Sequence, residues 1–434
     1  MPSDLATGPD PATGNVEARL DACLDRIGAE DHRWNAMLAL NPHARMAARD
    51  ADAAMRRRMP VGPLHGMVLA IKDNIDIAGM ATSSGCLALE AAMPLANATV
   101  IDRLVDGGAV IVGKTNLSEF SFEVRSRSSL GGDVLSPFAP ATTAGGSSGG
   151  SAVAVARGFA SAAIGTDTGG SIRIPAACNG LVGLRPAHGM LPLDGVAPLA
   201  PSTDTIGPIA RTVEDARGLY LAMGGKIPAG ETGAPPRIGV LRAAFGTDPR
   251  VIAACERALR KLADGGAELV DPFAIPDIAQ MLAGPHIVDV EFAAAFDAYL
   301  ARNFVAGTAP QSLAALLEGG RFLPEYRPVI LDRLSRSAEE AQAVLAAHRR
   351  LTDTLLRAMA EHRLDGLFHP TLRVIPEGLG NPKVGWAPEL APRTGWPAIS
   401  VPAGAQTCPV GVELLAPTGR EQLLFDLARM IEQA

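Results

Sequence analysis

The sequence predicts an α/β fold, because short apolar runs typical of buried strands alternate with segments of helical periodicity. Residues 67–71 form a wholly apolar run that ends at Lys72, and this run predicts a first buried strand. A helical segment containing Ile101 and Leu104 follows, and the apolar run at 109–112 then predicts a second strand. Repeated alternation of this kind indicates a sheet covered by helices.

The rest of the chain continues this alternation. Residues 15–59 predict two outer helices, and residues 250–365 are mainly helical by pattern. The stretch at 226–236 is rich in Gly and Pro, and we interpret it as a surface loop because an apolar run resumes directly after it. The remaining predicted elements are strands at 238–241, 398–401 and 410–415 and a final helix over 420–431.

The composition favours a well-packed chain without a polyanionic partner. Hydrophobic residues make up 47% of the 434 residues and charged residues 20%, which excludes disorder over the whole chain. The formal net charge is -7 and no basic run is interleaved with aromatic residues, so nucleic acid is not expected as a partner. No apolar segment reaches the roughly 18 residues that span a bilayer, so no membrane association is expected.

The first residues and the cysteines predict a cytoplasmic protein. Residues 1–14 carry acids and prolines where a signal peptide needs a basic start and an apolar run, so we expect a disordered tail. The five cysteines are far apart and form no C-x-x-C pair, which favours reduced thiols. The eight histidines show no metal-ligand spacing, so we expect neither a metal ion nor another cofactor.

Two short patterns point to other enzyme classes. GAVIVGKT at 108–115 matches the template of a phosphate-binding loop, but its four middle residues are themselves the predicted strand. GGSSGG at 145–150 fits the serine elbow of an esterase, with Ser147 or Ser148 as the nucleophile. The preceding residues APATTA are a poor strand for an elbow, and taken alone the motif could equally be a flexible loop. The elbow's partner histidine could only be chosen among His286, His348, His362 and His369.

A larger set of motifs carries a specific resemblance. Lys72 lies in VLAIKDNID, Ser147 lies in GGSSGG, and Ser171 follows 24 residues later in GTDTGGSIRIP. These pieces, in this order and at this spacing, resemble the amidase-signature family of amide hydrolases. The likeness covers most of the chain, because it extends to GKTNLSEF, DTIGPIARTVEDA and PAISVPAG at 113–120, 204–216 and 397–404.

The resemblance implies a catalytic triad that uses no histidine. Ser171 is the implied nucleophile, and Lys72 is the implied base. Ser147 is the implied bridging serine, joined to Gly146 by a cis peptide bond. A lysine accepts a proton only when neutral, and burial in an apolar environment lowers the lysine pKa in that direction. Taken alone, a lysine at a strand end is equally well explained by a salt bridge to Asp73 or another acid.

The segment before the implied nucleophile predicts an oxyanion hole. Successive backbone N–H groups without bulky side chains can surround the oxyanion of a tetrahedral intermediate, and here they belong to Thr168, Gly169, Gly170 and Ser171. The resemblance also implies four supporting side chains. Asp167 and Arg173 hold this loop in place, and Ser148 and Thr166 supply nearby hydroxyl groups.

The resemblance also refines the fold and the reaction. It implies one domain over residues 15–434, with a central twisted mixed β-sheet covered by helices on both sides. The implied reaction is hydrolysis of a carboxamide C–N bond through an acyl-enzyme, and the implied partner is a small-molecule amide. The sequence does not determine the oligomeric state, and a homodimer is one of the states it allows.

A second function in the same family is that of the glutaminase subunit of a glutamyl-tRNA amidotransferase. That subunit has the same triad but functions with partner chains. Residues 120–137 depart from its Asn-rich pattern, and the chain ends soon after the last motif without an added tail. Both features favour an independent amidase.

The sequence leaves the substrate open. Aliphatic amides, aryl amides, carbamates and ureas all present a carbonyl group with a nitrogen leaving group. By analogy, we expect the pocket walls to come from residues 120–135, 188–200, 281–335 and 369–396. The prominent side chains in these segments are Arg125, Arg127, Tyr326, Trp386 and Trp396.

Overall fold

The computed structural model describes residues 15–139, 141–228, 234–380, 382, 387–404 and 409–433. The predicted tail at 1–14 lies outside these residues. The helices are α1 Val16–Glu30, α2 Ala44–Arg56, α3 Thr99–Asp106, α4 Gly149–Ala156, α5 Arg173–Cys178, α6 Val213–Ala222, α7 Pro249–Asp264, α8 Ile278–Met281, α9 Val288–Arg302, α10 Leu313–Gly319, α11 Tyr326–Leu334, α12 Ala338–His362, α13 Leu390–Thr394 and α14 Glu421–Gln433. The strands are β1 Met37–Leu40, β2 Val68–Lys72, β3 Val110–Thr115, β4 Arg127–Ser128, β5 Gly132–Asp133, β6 Ala162–Asp167, β7 Val182–Arg185, β8 Thr205–Ala210, β9 Arg237–Val240, β10 Glu268–Val270, β11 Gly366–Pro370, β12 Ala398–Pro402 and β13 Gly411–Leu415.

Eleven of the strands form one mixed sheet, in the order β1-β3-β2-β6-β8-β7-β12-β13-β11-β9-β10. Strand β2 runs parallel to both β3 and β6, and β9 runs parallel to both β10 and β11. The other pairs in the sheet are antiparallel. This arrangement confirms the predicted α/β class with a central mixed sheet.

Helices cover both faces of the sheet, as the apolar character of its strands requires. In β2, Val68 and Ala70 pack with α1, α2 and α4, whereas Leu69 and Ile71 pack into the cluster that contains α3, α6, α7 and α14. Successive side chains of a strand point to opposite faces, so a strand that is apolar at every position must be buried on both sides. This explains why β2 reads as a continuous apolar run.

The helical segment between β10 and β11 contributes to further hydrophobic clusters beside the sheet. Helices α9, α10 and α11 contribute to an aromatic cluster in which the rings of Phe122 and Phe292 meet edge to face, with centroids 4.6 Å apart. Helix α12 packs through Leu351 and Leu355 against a second cluster that includes Trp396. None of the described helices combines the length and hydropathy needed to cross a membrane.

The structure differs from the sequence prediction in the first 60 residues. The two predicted helices exist, but β1 lies between them and pairs antiparallel with β3 at the edge of the sheet. This strand has only four residues, and two of them are exposed. Such a short run lacks the continuous apolar pattern that identified β2, so the periodicity did not predict it.

Candidate active site

The site begins where two neighbouring parallel strands end. Ile71 of β2 is in register with Ile164 of β6, so the carboxyl ends of both strands lie at the same edge of the sheet. The Nζ atom of Lys72 donates a hydrogen bond of 2.9 Å to Oγ1 of Thr166. Asn74 donates to the same oxygen at 3.0 Å. The strand register therefore brings together residues that are far apart in the chain.

Ser147 lies directly beside this lysine. Its Oγ atom is 2.7 Å from Nζ of Lys72, and the peptide bond between Gly146 and Ser147 is cis. The carbonyl oxygen of Ser147 accepts hydrogen bonds from the backbone N–H of Ser118 at 3.1 Å and from the hydroxyl of Ser126 at 3.2 Å. These bonds fix the backbone of the GGSSGG segment while its serine hydroxyl contacts Lys72.

Lys72 is fully buried, and it forms no ion pair with any described residue. Burial lowers the pKa of Lys72 to about 7, although Asp167 and Asp204 act in the opposite direction. Asp73, the acid considered as a salt-bridge partner, instead lies 2.9 Å from Nζ of Lys114. The salt-bridge interpretation of Lys72 is therefore wrong, and a large fraction of this amine is neutral near pH 7.

The segment that follows β6 is folded around the carboxylate of Asp167. One oxygen accepts from the backbone N–H of Gly170 at 2.8 Å, and the other accepts from the N–H of Ile172 at 3.1 Å. Nε of Arg173 also donates to this carboxylate at 3.1 Å. Burial alone would raise the pKa of Asp167, but the charges of Arg173 and Arg185 hold it below its usual range. An ionised carboxylate thus organises the turn that carries Ser171.

A second buried acid, which the sequence analysis did not identify, supports the same turn. Glu413 of β13 accepts a hydrogen bond from Nη1 of Arg173, and both side chains are fully buried. Burial raises the pKa of Glu413 to about 7, while the charge of Arg173 opposes this shift. Arg185, also missed, donates to the carbonyl oxygen of Asp167. A glutamate inside the apolar strand VGVELL was the available signal, because such residues are rarely buried unless paired.

The backbone amides around Ser171 are not equivalent. The N–H of Gly170 is engaged by Asp167, whereas within the described chain the amides of Gly169 and Ser171 donate no hydrogen bond. Gly170 has φ +113°, and a Cβ atom placed on it would lie 2.7 Å from Cδ1 of Ile174. Only glycine fits this position without strain.

The other predicted hydroxyl, that of Ser148, links the two serine segments. Its Oγ atom donates to the carbonyl oxygen of Thr166 at 3.3 Å, and its N–H donates to the carbonyl oxygen of Ser171 at 3.2 Å. The described residues between β5 and α4 form no strand, so Ser148 does not lie on a strand-to-helix elbow. This argues against the esterase interpretation.

Ser171 opens onto a cavity of about 410 Å³. The hydroxyl of Ser171 makes no hydrogen bond within the described chain, and the residue is 4% exposed. All four predicted wall segments contribute to the cavity. Five lining residues lie outside them: three in the segment of Ser171 (Thr168, Gly169 and Ser171 itself), and Thr203 and His348. The lining residues are Ser121, Phe122, Glu123, Val124, Thr168, Gly169, Ser171, Leu199, Thr203, Leu282, His286, Ile287, Val288, Asp289, Arg333, His348, Glu389, Pro392 and Arg393.

Of the five prominent side chains named from the sequence, the four that the structure describes do not line this cavity. Arg125 is paired with Asp133 at 2.9 Å, and Arg127 is paired with Glu325. Tyr326 and Trp396 are buried in the hydrophobic clusters, and Trp386 lies outside the described residues. The charged and imidazole groups that do line it were missed as pocket residues; they are Glu123, His286, Asp289, Arg333, His348, Glu389 and Arg393.

The remaining motifs and ligand candidates have ordinary structural explanations. Lys114 of GAVIVGKT is fully buried within β3 and contacts Asp73, so this segment is not a phosphate-binding loop. The four described cysteines are buried free thiols, and Cys408 lies outside the described part of the chain. No group of three or more His, Cys, Asp or Glu side chains suited to a metal ion occurs among the described residues.

Comparison with known proteins agrees with this geometry. A model of the Amidase family matches residues 18–425. The chain is 33% identical to the A subunit of the glutamyl-tRNA(Gln) amidotransferase of Synechococcus sp. (strain RCC307), over 95% of this chain and 93% of that subunit. It is also 33% identical to mandelamide hydrolase of Pseudomonas putida, over 95% of this chain and 87% of that protein.

A similar solved structure is that of native peptide amidase from Stenotrophomonas maltophilia. It superposes with a TM-score of 0.85 at 32% sequence identity and covers 97% of this chain and 93% of that one. The resemblance noted in the sequence is therefore confirmed across the length of the chain. The protein belongs to the amidase family, the amidase-signature enzymes, and is a hydrolase that acts on carbon–nitrogen bonds.

Proposed function

We propose that this protein hydrolyses a small carboxamide through an acyl-enzyme, with Ser171 as nucleophile, Ser147 as bridging serine and Lys72 as base. One observation carries the proposal. Lys72 is fully buried, contacts the hydroxyls of Ser147 and Thr166 rather than a carboxylate, and has a pKa lowered by burial to about 7. A neutral lysine next to a serine is the arrangement that activates a hydroxyl nucleophile without histidine.

The proton path follows from the hydrogen bonds of a neutral amine. Such an amine has two N–H donors and one lone pair, so it can donate to Thr166 and accept from the hydroxyl of Ser147. As the Ser171 oxygen attacks the amide carbon, Ser147 accepts the proton of Ser171 and passes its own hydroxyl proton to Nζ of Lys72. When the tetrahedral intermediate collapses, the proton returns along the same path to the leaving nitrogen. Water then attacks the ester, and Ser171 is regenerated as the acid is released.

The oxyanion of the intermediate needs donors that are free before the reaction begins. The amides of Gly169 and Ser171 meet this requirement within the described chain, and Thr168 and Gly169 both line the cavity. The amide of Gly170 serves a different purpose, since it donates to Asp167. We therefore assign the oxyanion contacts to Gly169 and Ser171, with Thr168 beside them, and the shape of the loop to Gly170.

Labelling would test the assignment of the nucleophile. A sulfonyl fluoride should add to a single serine, and peptide mapping should place the adduct on Ser171. Ser171→Ala should remove nearly all activity. Ser147→Ala should retain measurable residual activity, because Lys72 could act through a water molecule. An adduct on Ser148, with complete loss of activity only in Ser148→Ala, would support the elbow mechanism instead.

The glutaminase component of an amidotransferase is the second candidate, because several of the relatives are A subunits of such an enzyme. The two functions differ in what the isolated chain can hydrolyse. We expect the purified protein to release amines from a panel of chromogenic anilides, carbamates and ureas, and to hydrolyse free glutamine poorly. The opposite pattern, with glutamine hydrolysed only after partner chains are added, would favour the second candidate.

The site of action that we propose is the cytoplasm, where the buried thiols would stay reduced.

A further inference from the structure

Arg393 is an unusual residue in the wall of the cavity. It is 6% exposed, and its Nη2 atom is buried without a hydrogen-bond partner in the described chain. Its ion-pair partner among the described residues is Glu389, a carboxylate oxygen of which lies 3.5 Å from a different nitrogen, Nε. A buried guanidinium with a free donor carries a desolvation cost that a ligand can offset. Burial lowers the pKa of Arg393, but an arginine stays protonated at neutral pH.

The other arginine of the cavity, Arg333, also has a buried nitrogen without a partner in the described chain, Nη1, but the rest of its guanidinium is well compensated. Arg333 donates to Asp289 from both Nε and Nη2, at 3.3 and 3.1 Å, and its guanidinium lies 4.2 Å from the ring centroid of Phe122. The charge of Arg333 is therefore largely compensated by the protein. Arg393 has no comparable set of contacts, so it is the better candidate for contact with a ligand.

His348 places a second unpaired polar atom beside this arginine. Its Nε2 atom is buried without a partner in the described chain, and both residues line the cavity that contains Ser171. Burial, together with the charge of Arg393, lowers the pKa of His348 to about 4, so the imidazole is neutral at pH 7. A neutral imidazole does not repel the arginine, and it can donate one further hydrogen bond.

We propose that Arg393, assisted by His348, recognises an anionic group on the substrate, so that the preferred substrate is an amide that also bears a carboxylate. A guanidinium matches a carboxylate in geometry and charge, and charge-assisted bonds of this type are among the strongest that side chains make. The proposal rests on the proposed amidase function and names its substrate class. A half-amide of a dicarboxylic acid would present the carboxylate on the acyl side, and an N-acyl amino acid would present it on the leaving group.

Glu123 sets the main alternative. It also lines the cavity, and its Oε1 atom is buried without a hydrogen-bond partner among the described residues. Burial and the charge of Glu123 raise the pKa of Tyr326. A substrate with a positive charge could approach this carboxylate. The substrates for the test must therefore include anionic, neutral and cationic members of the same shape.

The experiment compares matched amides on the purified full chain. On the acyl side, release of aniline is measured for succinanilic acid, butyranilide and β-alanine anilide. On the leaving-group side, release of benzoate is measured for hippurate and N-propylbenzamide. We expect kcat/KM to favour the anionic member of at least one series by roughly 10- to 100-fold, the range of one or two charge-assisted hydrogen bonds. The series that shows the preference identifies the side that carries the carboxylate.

Variants connect that preference to Arg393. In Arg393→Gln the anionic-to-neutral ratio of kcat/KM should fall to near one, whereas Arg349→Gln should keep the wild-type ratio. Arg349 is a suitable control because it is exposed on the same helix as His348 and does not line the cavity. Calorimetry of the same compounds with Ser171→Ala protein reports binding without turnover, so a slow substrate still gives a result.

Each outcome decides one point. Absence of an anionic preference in both series, or an anionic preference that survives in Arg393→Gln, would overturn the recognition of an anion by Arg393. Equal binding of anionic and neutral compounds to the Ser171→Ala protein would also do so. A wild-type protein that hydrolyses no amide of any charge, with or without anion binding, would instead contradict the proposed amidase function.

Discussion

The amine of Lys72 lies 2.7 Å from the hydroxyl of Ser147, at the end of a strand in which every residue is buried. Within the described chain no carboxylate pairs with this amine. The protein therefore bears the cost of a buried lysine without the ion pair that usually accompanies it. This is the arrangement that a neutral base requires, and it makes the charge state of Lys72 the property to test.

Activity should depend on a single ionisation that belongs to Lys72. The pKa of this residue is about 7, and only its neutral form can accept a proton, so kcat/KM should fall as the pH drops below that value. Lys72→Met should remove most of the rate while keeping the side-chain volume. A pH profile of kcat/KM, with circular dichroism to show that the variant is folded, makes the measurement.

Histidine is the usual cause of an acid limb near neutrality, so histidine variants are the control. His369 is fully buried with its pKa lowered to about 4, mainly by burial, and His188 is exposed. Alanine variants of each should keep the limb near pH 7. If one of them lost it while Lys72→Met kept substantial activity, the base would be that histidine.

Lys72→Met should be more stable than the wild type at neutral pH. The folded-state pKa of Lys72 is below its ordinary value of 10.5, so between about pH 7 and 10.5 the unfolded chain binds more protons than the folded one. Wild-type stability therefore rises with pH in this window, by at most about 1.4 kcal/mol per unit. The free energy of unfolding in urea should favour Lys72→Met most at pH 7 and below, and the difference should shrink towards pH 10.5. A difference that is constant with pH would contradict the shift.

The sequence was informative where function depends on short local patterns. The apolar run before Lys72 and the glycine-rich segments around Ser147 and Ser171 can be read directly, because each is a continuous stretch of chain. The four wall segments were also anticipated, although only by analogy. The fold class followed from the same alternation of buried strands and helices.

The parts that sequence reasoning missed depend on contacts between distant segments. Glu413 meets Arg173 across 240 residues, so neither its neighbours nor its spacing reveals the pairing. Arg393 and His348 have ordinary helical surroundings in the sequence, and only the fold brings them to the cavity. The named side chains Arg125 and Arg127 were plausible by residue type, but acids in the fold neutralise them.

Gly170 should not tolerate even alanine. At φ +113° a side chain is strained, and its Cβ atom would be 2.7 Å from Ile174 next to the Asp167 carboxylate that shapes the loop. We expect Gly170→Ala to lower kcat by at least about 10-fold. Complete loss of an oxyanion donor would lower it further. Gly218→Ala is the control, since a Cβ there meets nothing within 4 Å in helix α6. Unchanged kcat in Gly170→Ala would show that this loop tolerates displacement.

Chelation should leave kcat unchanged. In the proposed mechanism Ser171 supplies the nucleophile, Lys72 the base, and backbone amides the stabilisation of the oxyanion, so no step calls for a Lewis acid. The measurement is kcat after prolonged dialysis against a strong chelator. Loss of activity that added zinc restores would require a metal-assisted mechanism.

Removing Arg173 should destabilise the protein far more than removing a surface arginine. Arg173 lies between the buried carboxylates of Asp167 and Glu413, and deleting one member of a buried ionic group typically costs about 3 to 5 kcal/mol. Arg336→Met is the matched control, because its ion pairs with Asp332 and Glu340 are exposed and such pairs contribute about 1 kcal/mol or less.

A second variant separates the charge of Arg173 from its packing. Glu413 has a raised pKa, so glutamine resembles the protonated acid closely, and Glu413→Gln alone should cost less than Arg173→Met. In the double variant Arg173→Met/Glu413→Gln, one of the two carboxylates that Arg173 contacts is gone, and part of the loss in unfolding free energy should be recovered. Urea denaturation of the four proteins gives the coupling free energy. If the two losses simply added, the contact between Arg173 and Glu413 would not hold the turn that carries Ser171, and the Asp167 contacts alone would have to do so.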